Sequence, residues 1–224
     1  MNCTVIVPLL NERIQLPNLL QHLRAVQDRD GCEVILVDGG STDGSVELIR
    51  AAGLQMISAP RGRARQMNAG AAIASGDWLL FLHADTRLPQ NAAKEIALVS
   101  LRDYQWGRFD LRICGDSLWF PLIATLINWR SRLTGIATGD QALFVRRDLF
   151  EQLGGFPQQP LMEDIELSKR LLKLSRPACI DARVKTSGRR WQKYGVLRTV
   201  LSMWRLRFDY WRGVPAEVLA RRYE

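Results

Sequence analysis

The chain has 224 residues, of which 47% are hydrophobic and 24% charged. That is enough for one large domain with a real core, and it excludes a low-complexity or disordered polymer. The formal net charge is +8, which points to an anionic partner: nucleic acid, membrane lipid or a phosphorylated ligand.

From Arg189 to Glu224 there are nine basic side chains against three acidic ones, so most of the excess lies in the last 36 residues. The N-terminus lacks a basic leader, and its apolar run Val5-Ile6-Val7-Pro8-Leu9-Leu10 stops at Asn11-Glu12-Arg13, unlike a signal peptide. Leu118 to Trp129 is too short to span a bilayer and carries Pro121 and Asn128. Cys3, Cys32, Cys114 and Cys179 are widely spaced with no Cys-x-x-Cys pair. They read as buried free thiols in a reducing, cytoplasmic setting.

Taken in order, Thr4 to Val7 is a strand ended by Pro8, and Leu16, Leu19, Leu20, Leu23 and Val26 have helical spacing. His22 falls on the polar flank of that helix and reads as a surface residue. Val34 to Val37 is a second buried strand, Val46 and Ile49 mark a short helix, and Leu54 to Ser58 is a third strand. Gly62 to Ala74 is a small-residue helix. Trp78 to Leu82 is an unbroken apolar run, as expected of a strand buried on both faces of a parallel sheet. Alternating strands and helices imply right-handed crossovers.

Beyond residue 100 the pattern changes. Trp106 to Ile113 alternates, with Arg108, Asp110 and Arg112 on one side, which predicts a half-exposed antiparallel strand. Ala142 to Val145 is another strand, Arg147 to Leu153 a short helix, and Glu163-Asp164 opens a third helix. Trp191 to Trp211 is a single long helix.

The chemistry sits after the strands, where open α/β sheets bind ligands. Asp38, with Gly39-Gly40 behind it, could accept hydrogen bonds from a nucleobase or ribose, although an isolated Asp-Gly reads equally as a tight turn. Arg61, Arg63 and Arg65 open a helix beside its free N–H groups, the makings of a phosphate site. Asp85, closing the strand at 78–82, could hold a divalent cation against phosphate oxygens.

These stretches resemble glycosyltransferase family 2, the inverting enzymes of GT-A fold. Pro8-Leu9-Leu10-Asn11-Glu12 is similar to the family's opening Pro-x-x-Asn-Glu. Val37 to Asp43 resembles its Val-Asp-Asp-Gly-Ser-x-Asp, with Gly39 in place of the second Asp. Arg65, Asn68 and Gly70 match Arg-x-x-Asn-x-Gly, His83-Ala84-Asp85 stands where the family has Asp-x-Asp, and Met162-Glu163-Asp164 resembles its Glu-Asp pair. The motifs run in order over residues 3 to 175.

The resemblance implies a GT-A-like, Rossmann-related α/β fold: a mostly parallel sheet flanked by helices, an antiparallel acceptor-side portion and a C-terminal amphipathic helix. It implies one catalytic domain over 1–188, with a nucleotide-sugar half to residue 100 and an acceptor half after it, then a helical tail over 189–224. Pro8, Leu10, Glu12, Asp38, Arg65, Asn68, His83 and Ala84 would line the nucleotide-sugar site. Asp85 would ligate Mg²⁺ or Mn²⁺. His83 would either join it, which imidazole does better for Mn²⁺, or stand behind it. Asp164 would be the general base with Glu163 beside it, and Gly139, Asp140, Arg190 and Trp191 would lie on the acceptor side. The implied reaction is metal-dependent inverting transfer from a nucleotide-diphosphate sugar to an acceptor hydroxyl. The processive members' Gln-x-x-Arg-Trp is incomplete: Arg190-Trp191 is present, but Ser187 replaces the glutamine.

In the tail, Trp191, Val196, Leu197, Val200, Leu201, Trp204, Phe208 and Trp211 recur at helical spacing among basic residues. Such a helix can lie in an anionic membrane interface over residues 191–212, making the protein peripheral on the inner face of the cytoplasmic membrane. It can instead pack its stripe on the domain. A nucleotidyltransferase is a second reading, weakened because Pro8 to Arg13 lacks the glycine-rich loop that such enzymes carry. A basic membrane- or nucleic-acid-binding module is a third, and it leaves the acidic strand ends unexplained. No nucleic-acid partner is expected.

Overall fold

The computed structural model describes residues 2–223. The first half alternates strand and helix: β1 (Cys3–Leu9), α1 (Leu16–Asp30), β2 (Glu33–Asp38), α2 (Ser45–Ala51), β3 (Met56–Ser58), α3 (Arg63–Ile73) and β4 (Trp78–Phe81). Then come β5 (Thr86–Arg87), α4 (Ala92–Ser100), β6 (Trp106–Cys114), α5 (Phe120–Thr134), β7 (Phe144–Arg146), α6 (Arg147–Gln152), α7 (Glu163–Leu172) and β8 (Ala178–Ser187). Three helices close the chain: α8 (Arg189–Tyr194), α9 (Val196–Trp211) and α10 (Ala216–Tyr223).

All eight strands form one sheet in the order β3-β2-β1-β4-β7-β6-β8-β5. β3, β2, β1 and β4 pair in parallel, as the apolar runs predict. β7 runs antiparallel to both of its neighbours, β4 and β6, while β6 and β8 are parallel to each other. The architecture is therefore mixed α/β with a mostly parallel sheet, GT-A-like as expected. Period-two alternation splits β1 between two cores: Cys3, Val5, Val7 and Leu9 face α1 and its neighbours, whereas Ile6 faces α3.

Several expectations are corrected. β1 runs through Pro8 to Leu9 rather than ending at Pro8. β4 pairs with it only as far as Ile6, so Pro8 sits where β1 has a partner on one side alone, the place a strand tolerates a missing N–H. β6 is half-exposed only at its end, where Arg112 and Cys114 are exposed; from Trp106 to Leu111 it is buried. There the charged face is roofed by α5, leaving Arg108 at 0% exposure and Asp110 buried. Arg108 donates to the Asp110 carboxylate and to the Asn128 carbonyl (3.2 Å), and Arg132 donates to Asp110 at 2.7 Å. Asn128 accepts from the Leu111 N–H and donates to its carbonyl at 2.9 and 3.0 Å, tying the roof to the strand.

The long helix over 191–211 is broken at Gly195, whose φ of 81° and ψ of 147° separate α8 from α9. His22 is half-buried: its Nε2 accepts the Leu88 N–H at 3.0 Å, and burial, then Arg87 and Arg29, pull its pKa down to about 4. Cys3 and Cys32 are buried free thiols, but Cys114, at the end of β6, is exposed.

The tail folds back on the domain. Leu206 of α9 and Leu219 of α10 form a small core with Leu161, Met162 and Ile165 around the start of α7. The stripe of Leu197, Leu201, Trp204, Phe208 and Trp211 stays exposed. No helix among the described residues is long and apolar enough to cross a membrane.

Candidate functional site

The carboxyl ends of β1, β2 and β4 deliver three loops to one edge. The first two are laced together. Asn11, at φ 54°, accepts from the Thr42 N–H at 2.9 Å and gives its own N–H to Ser41 Oγ at 2.8 Å. The Arg13 N–H reaches Asp43 at 2.9 Å, and the Glu12 N–H reaches Ser45 Oγ at 3.2 Å. Asp38 is buried, and its carboxylate accepts from the N–H groups of Gly40 and Ser41 at 2.9–3.2 Å. Asp38 thus builds its own turn. Where the family pattern has a second Asp, Gly39 lies against the Gln66 amide, which an added Cβ would approach to 3.0 Å. Buried Gln66 donates to the carbonyls of Leu9 and Val37, both at 2.8 Å, and so staples β1 to β2.

Other predicted nucleotide-site residues divide. Pro8 is buried in β1, Ala84 is buried in the turn after β4, and Leu10 is half-exposed. Arg63 and Arg65 are both exposed, but Arg63, at 41% side-chain exposure, is the one whose guanidinium reaches Glu163, at 3.9 Å. The Asn68 amide is taken up by the Phe156 backbone, donating at 2.8 Å and accepting at 2.9 Å, so it clamps the chain after α6.

The third loop meets the acceptor side. His83 lies with its Cε1–Nε2 edge on Gly139, where a Cβ would come within 2.3–2.4 Å; only glycine leaves room for the ring. Burial, then the nearby Arg63 cation, lowers the His83 pKa, so the imidazole is held neutral. Gly139 gives its N–H to Asp164 Oδ2 at 2.7 Å, and the Ile165 N–H reaches Asp164 Oδ1 at 2.7 Å. Asp164 therefore stands at the helix start with both oxygens held by backbone. Neighbouring Glu163 is buried, and burial with the Asp164 charge pushes its pKa up to about 7, against the pull of Arg63.

The tail closes the edge. Arg189 lies 3.6 Å from Glu12. Arg190 stacks 3.7 Å over the Tyr223 ring and donates to its carbonyl at 3.0 Å, and Tyr223 in turn lies beside Arg63. Trp191, expected on the acceptor side, packs partly into the main core instead.

Among the described residues no three His, Cys, Asp or Glu side chains gather into a metal site. Asp85 is half-buried, with the Glu12 carboxylate in its field. That donor set fits Mg²⁺ or Mn²⁺, which take one or two carboxylates and complete their shell with phosphate oxygens and water. His83, with its Nε2 against Gly139, is placed more as a packing partner than as a ligand.

Sequence reasoning missed Gln66, Arg189 and Tyr223 at this edge, which had no signal of their own. Arg63 was read among the arginines at the helix start, without being singled out from Arg65.

Parallel β1–β4 with an antiparallel β7, and polar loops gathered at the carboxyl edge, define the GT-A class of α/β nucleotide-binding folds. The chain belongs to glycosyl transferase family 2, whose model matches residues 4–154. It is 31% identical over 155 residues to an undecaprenyl-phosphate 4-deoxy-4-formamido-L-arabinose transferase of Aeromonas hydrophila, covering 64% of this chain and 47% of that relative. It is also 31% identical over 166 residues to a PGL/p-HBAD biosynthesis glycosyltransferase of Mycobacterium bovis, covering 68% and 62%. The chain thus spans about half the length of the first of these. S. aureus TarS 1-349 in complex with UDP superposes with a TM-score of 0.66 at 21% identity, over 84% of this chain and 60% of that one. Mannosyltransferase PcManGT from Pyrobaculum calidifontis, in complex with GDP-Man and Mn²⁺, superposes at 0.60 with 26% identity, over 82% and 56%.

Proposed function

We propose that the protein is a metal-dependent inverting glycosyltransferase, moving a sugar from a nucleotide-diphosphate sugar to an acceptor oxygen at the edge where His83, Gly139 and Asp164 meet. The observation that carries this reading is the grip of the Gly139 N–H on Asp164. It brings the start of α7, outside the family-matched residues, to the end of β4. The loops after β1 and β2 hold the nucleoside, with Glu12 and Asp38 accepting hydrogen bonds. Arg63 faces the diphosphate, a role the motif match alone assigns to Arg65. Asp85 would hold Mg²⁺ or Mn²⁺, which would offset the charge of the leaving nucleoside diphosphate. Asp164, fixed by two N–H groups, takes the proton of an acceptor hydroxyl. Neutral His83 packs the floor beneath it.

Relatives named for an undecaprenyl-phosphate acceptor, together with the exposed tryptophan stripe and basic residues of α9, support a membrane-associated acceptor and a peripheral seat on an anionic bilayer.

Asp164→Asn keeps the shape and removes the base. Turnover should drop by about 10²-fold or more, with the dissociation constant for UDP or GDP in Mn²⁺ within a few-fold of wild type. A second reading, favoured by the buried Glu163 with its pKa near neutrality, makes Glu163 the base. If Glu163→Gln loses the rate while Asp164→Asn keeps it, that reading replaces the first. Nucleotide at 100 times its dissociation constant should stabilise the protein by about 2.7 kcal/mol. Absence of any shift with UDP, GDP or their sugars would remove the glycosyltransferase reading itself.

A further inference from the structure

Two cysteines meet at the end of the sheet opposite the functional edge. β1 and β2 pair in parallel register from Thr4 with Glu33 to Leu9 with Asp38. One step back along each chain segment stand Cys3, the first residue of β1, and Cys32, the residue before β2. They therefore share a rung. Neighbouring strands lie about 4.7–4.9 Å apart, inside the roughly 4.4–6.8 Å between Cα atoms that a disulfide spans. Side-chain direction agrees with the register. Cys3, Val5 and Val7 of one strand and Cys32, Val34 and Leu36 of the other all face the α1 core, whereas Ile6, Ile35 and Val37 face the opposite one. Both thiols are free, and both residues are buried, at 4% and 5% exposure. The other two cysteines have no thiol on their rung: Cys114 is paired with Ser187 and Cys179 with Arg108.

The two thiols are chemically unequal. Cys3 donates a hydrogen bond to Cys32. That bond, with the Arg29 cation nearby, holds the Cys32 pKa below the usual thiol value against the effect of burial. The same bond and burial push Cys3 well above it. Cys32 is thus the better thiolate and Cys3 the protonated thiol beside it, which is the arrangement of an attacking and a resolving cysteine. Asn2 and Gly31, the residues just outside the pair, are exposed, so the buried rung lies one residue from solvent on both segments.

We propose that Cys3 and Cys32 are a reversible thiol–disulfide site, closed by a small-molecule disulfide, that clamps β1 to β2. The Cys32 thiolate attacks one sulfur of the oxidant, whose S–S bond breaks and whose other half leaves as a thiolate. Cys3 gives its proton to that leaving thiolate and attacks Cys32 Sγ. This expels the second half, which takes up from water the proton that Cys32 had released. Two protein thiols become one S–S bond, the oxidant is reduced to two thiols, and excess thiol reverses the exchange. The clamp closes the β1–α1–β2 unit and leaves the carboxyl edge untouched, so it does not depend on the glycosyltransferase reading.

The test treats the folded full chain with oxidised glutathione and maps the unreduced product by mass spectrometry. A parallel sample carries Cys114→Ser and Cys179→Ser, so that only the pair can react. Both samples should give a Cys3–Cys32 link within one chain, reopened by dithiothreitol. Cys3→Ser should stop at one glutathione held on Cys32, whereas Cys32→Ser should leave Cys3 unmodified over the same interval. The linked protein should melt higher than the reduced one, because the cross-link restricts the unfolded chain. That difference should vanish in Cys3→Ser. The proposal is overturned if the pair reacts only after unfolding in urea, or if the product is a cross-linked dimer or holds a glutathione on each thiol. It is equally overturned if Cys32→Ser reacts at Cys3 as fast as Cys3→Ser does at Cys32, or if the linked protein melts lower than the reduced one.

Discussion

In the half built on β1, β2 and β4, the polar groups at the strand ends are bonded to one another. Asn11, Ser41, Thr42 and Asp43 close two loops on each other, Asp38 caps its own turn, and Gln66 ties the strands beneath. In the half built on β6, β7 and β8, charge is driven inside. Arg108 and Asp110 are buried under α5, while Arg130 and Asp140 keep buried polar atoms unpartnered among the described residues. The first half is organised before any ligand arrives, which lowers the ordering cost of binding a rigid partner. The second keeps buried polar atoms without a partner among the described residues. One sheet thus carries a fully bonded edge and an incompletely bonded half side by side.

The sharpest way to break this comparison is the buried network itself. Asp110→Ala leaves Arg108 without its carboxylate in a fully buried position and should cost about 3–5 kcal/mol of stability, measured by urea unfolding. A loss below about 1 kcal/mol would mean that the second half's charges are solvated after all, and the contrast would fail.

A smaller effect concerns Glu163, where the two halves meet through Arg63. Its pKa rises from the model-compound 4.5 to about 7 on folding. The folded protein therefore holds an extra proton between these values, and stability should fall as pH rises through that window. Below about pH 4.5 the penalty is absent; above about pH 7 it is complete. Glu163→Gln should match wild type at the acid end and exceed it above pH 7, as read by melting temperature against pH. Parallel profiles for the two proteins would show that Glu163 ionises freely in the fold.

The smallest stability change is expected on the outer stripe. Trp204 and Trp211 are 69% and 76% exposed, so replacing both with alanine should shift stability by no more than about 0.5 kcal/mol each. Sedimentation with anionic vesicles should nevertheless weaken strongly, and added salt should weaken the intact protein's binding as well. A large stability loss with unchanged sedimentation would make the stripe a covered core face.

Sequence alone was enough for the strands of the first half. Unbroken apolar runs at Val34 to Val37 and Trp78 to Leu82 report strands buried on both faces, and acidic or glycine-rich stretches directly after them mark the carboxyl edge of the sheet. The start of α7 at Glu163 was legible for the same reason: first-turn acids announce a helix locally. Only the tertiary structure decided the rest. The alternation of Arg108, Asp110 and Arg112 correctly divides β6 into two faces, but periodicity carries no information about what lies above a face, and α5 lies there. Arg63 and Arg65 sit about 200° apart around α3 at 100° per residue, so which of them reaches Glu163 depends on where α7 is placed. β8 was passed over because its charged residues alternate beside a basic run, and its pairing partner β6 is about seventy residues away in sequence. Tyr223 reaches the edge only because Gly195 breaks the tail and Leu206 and Leu219 dock it on α7. Local pattern sets which residues form an element and which of its faces are apolar; long-range packing sets what each face meets.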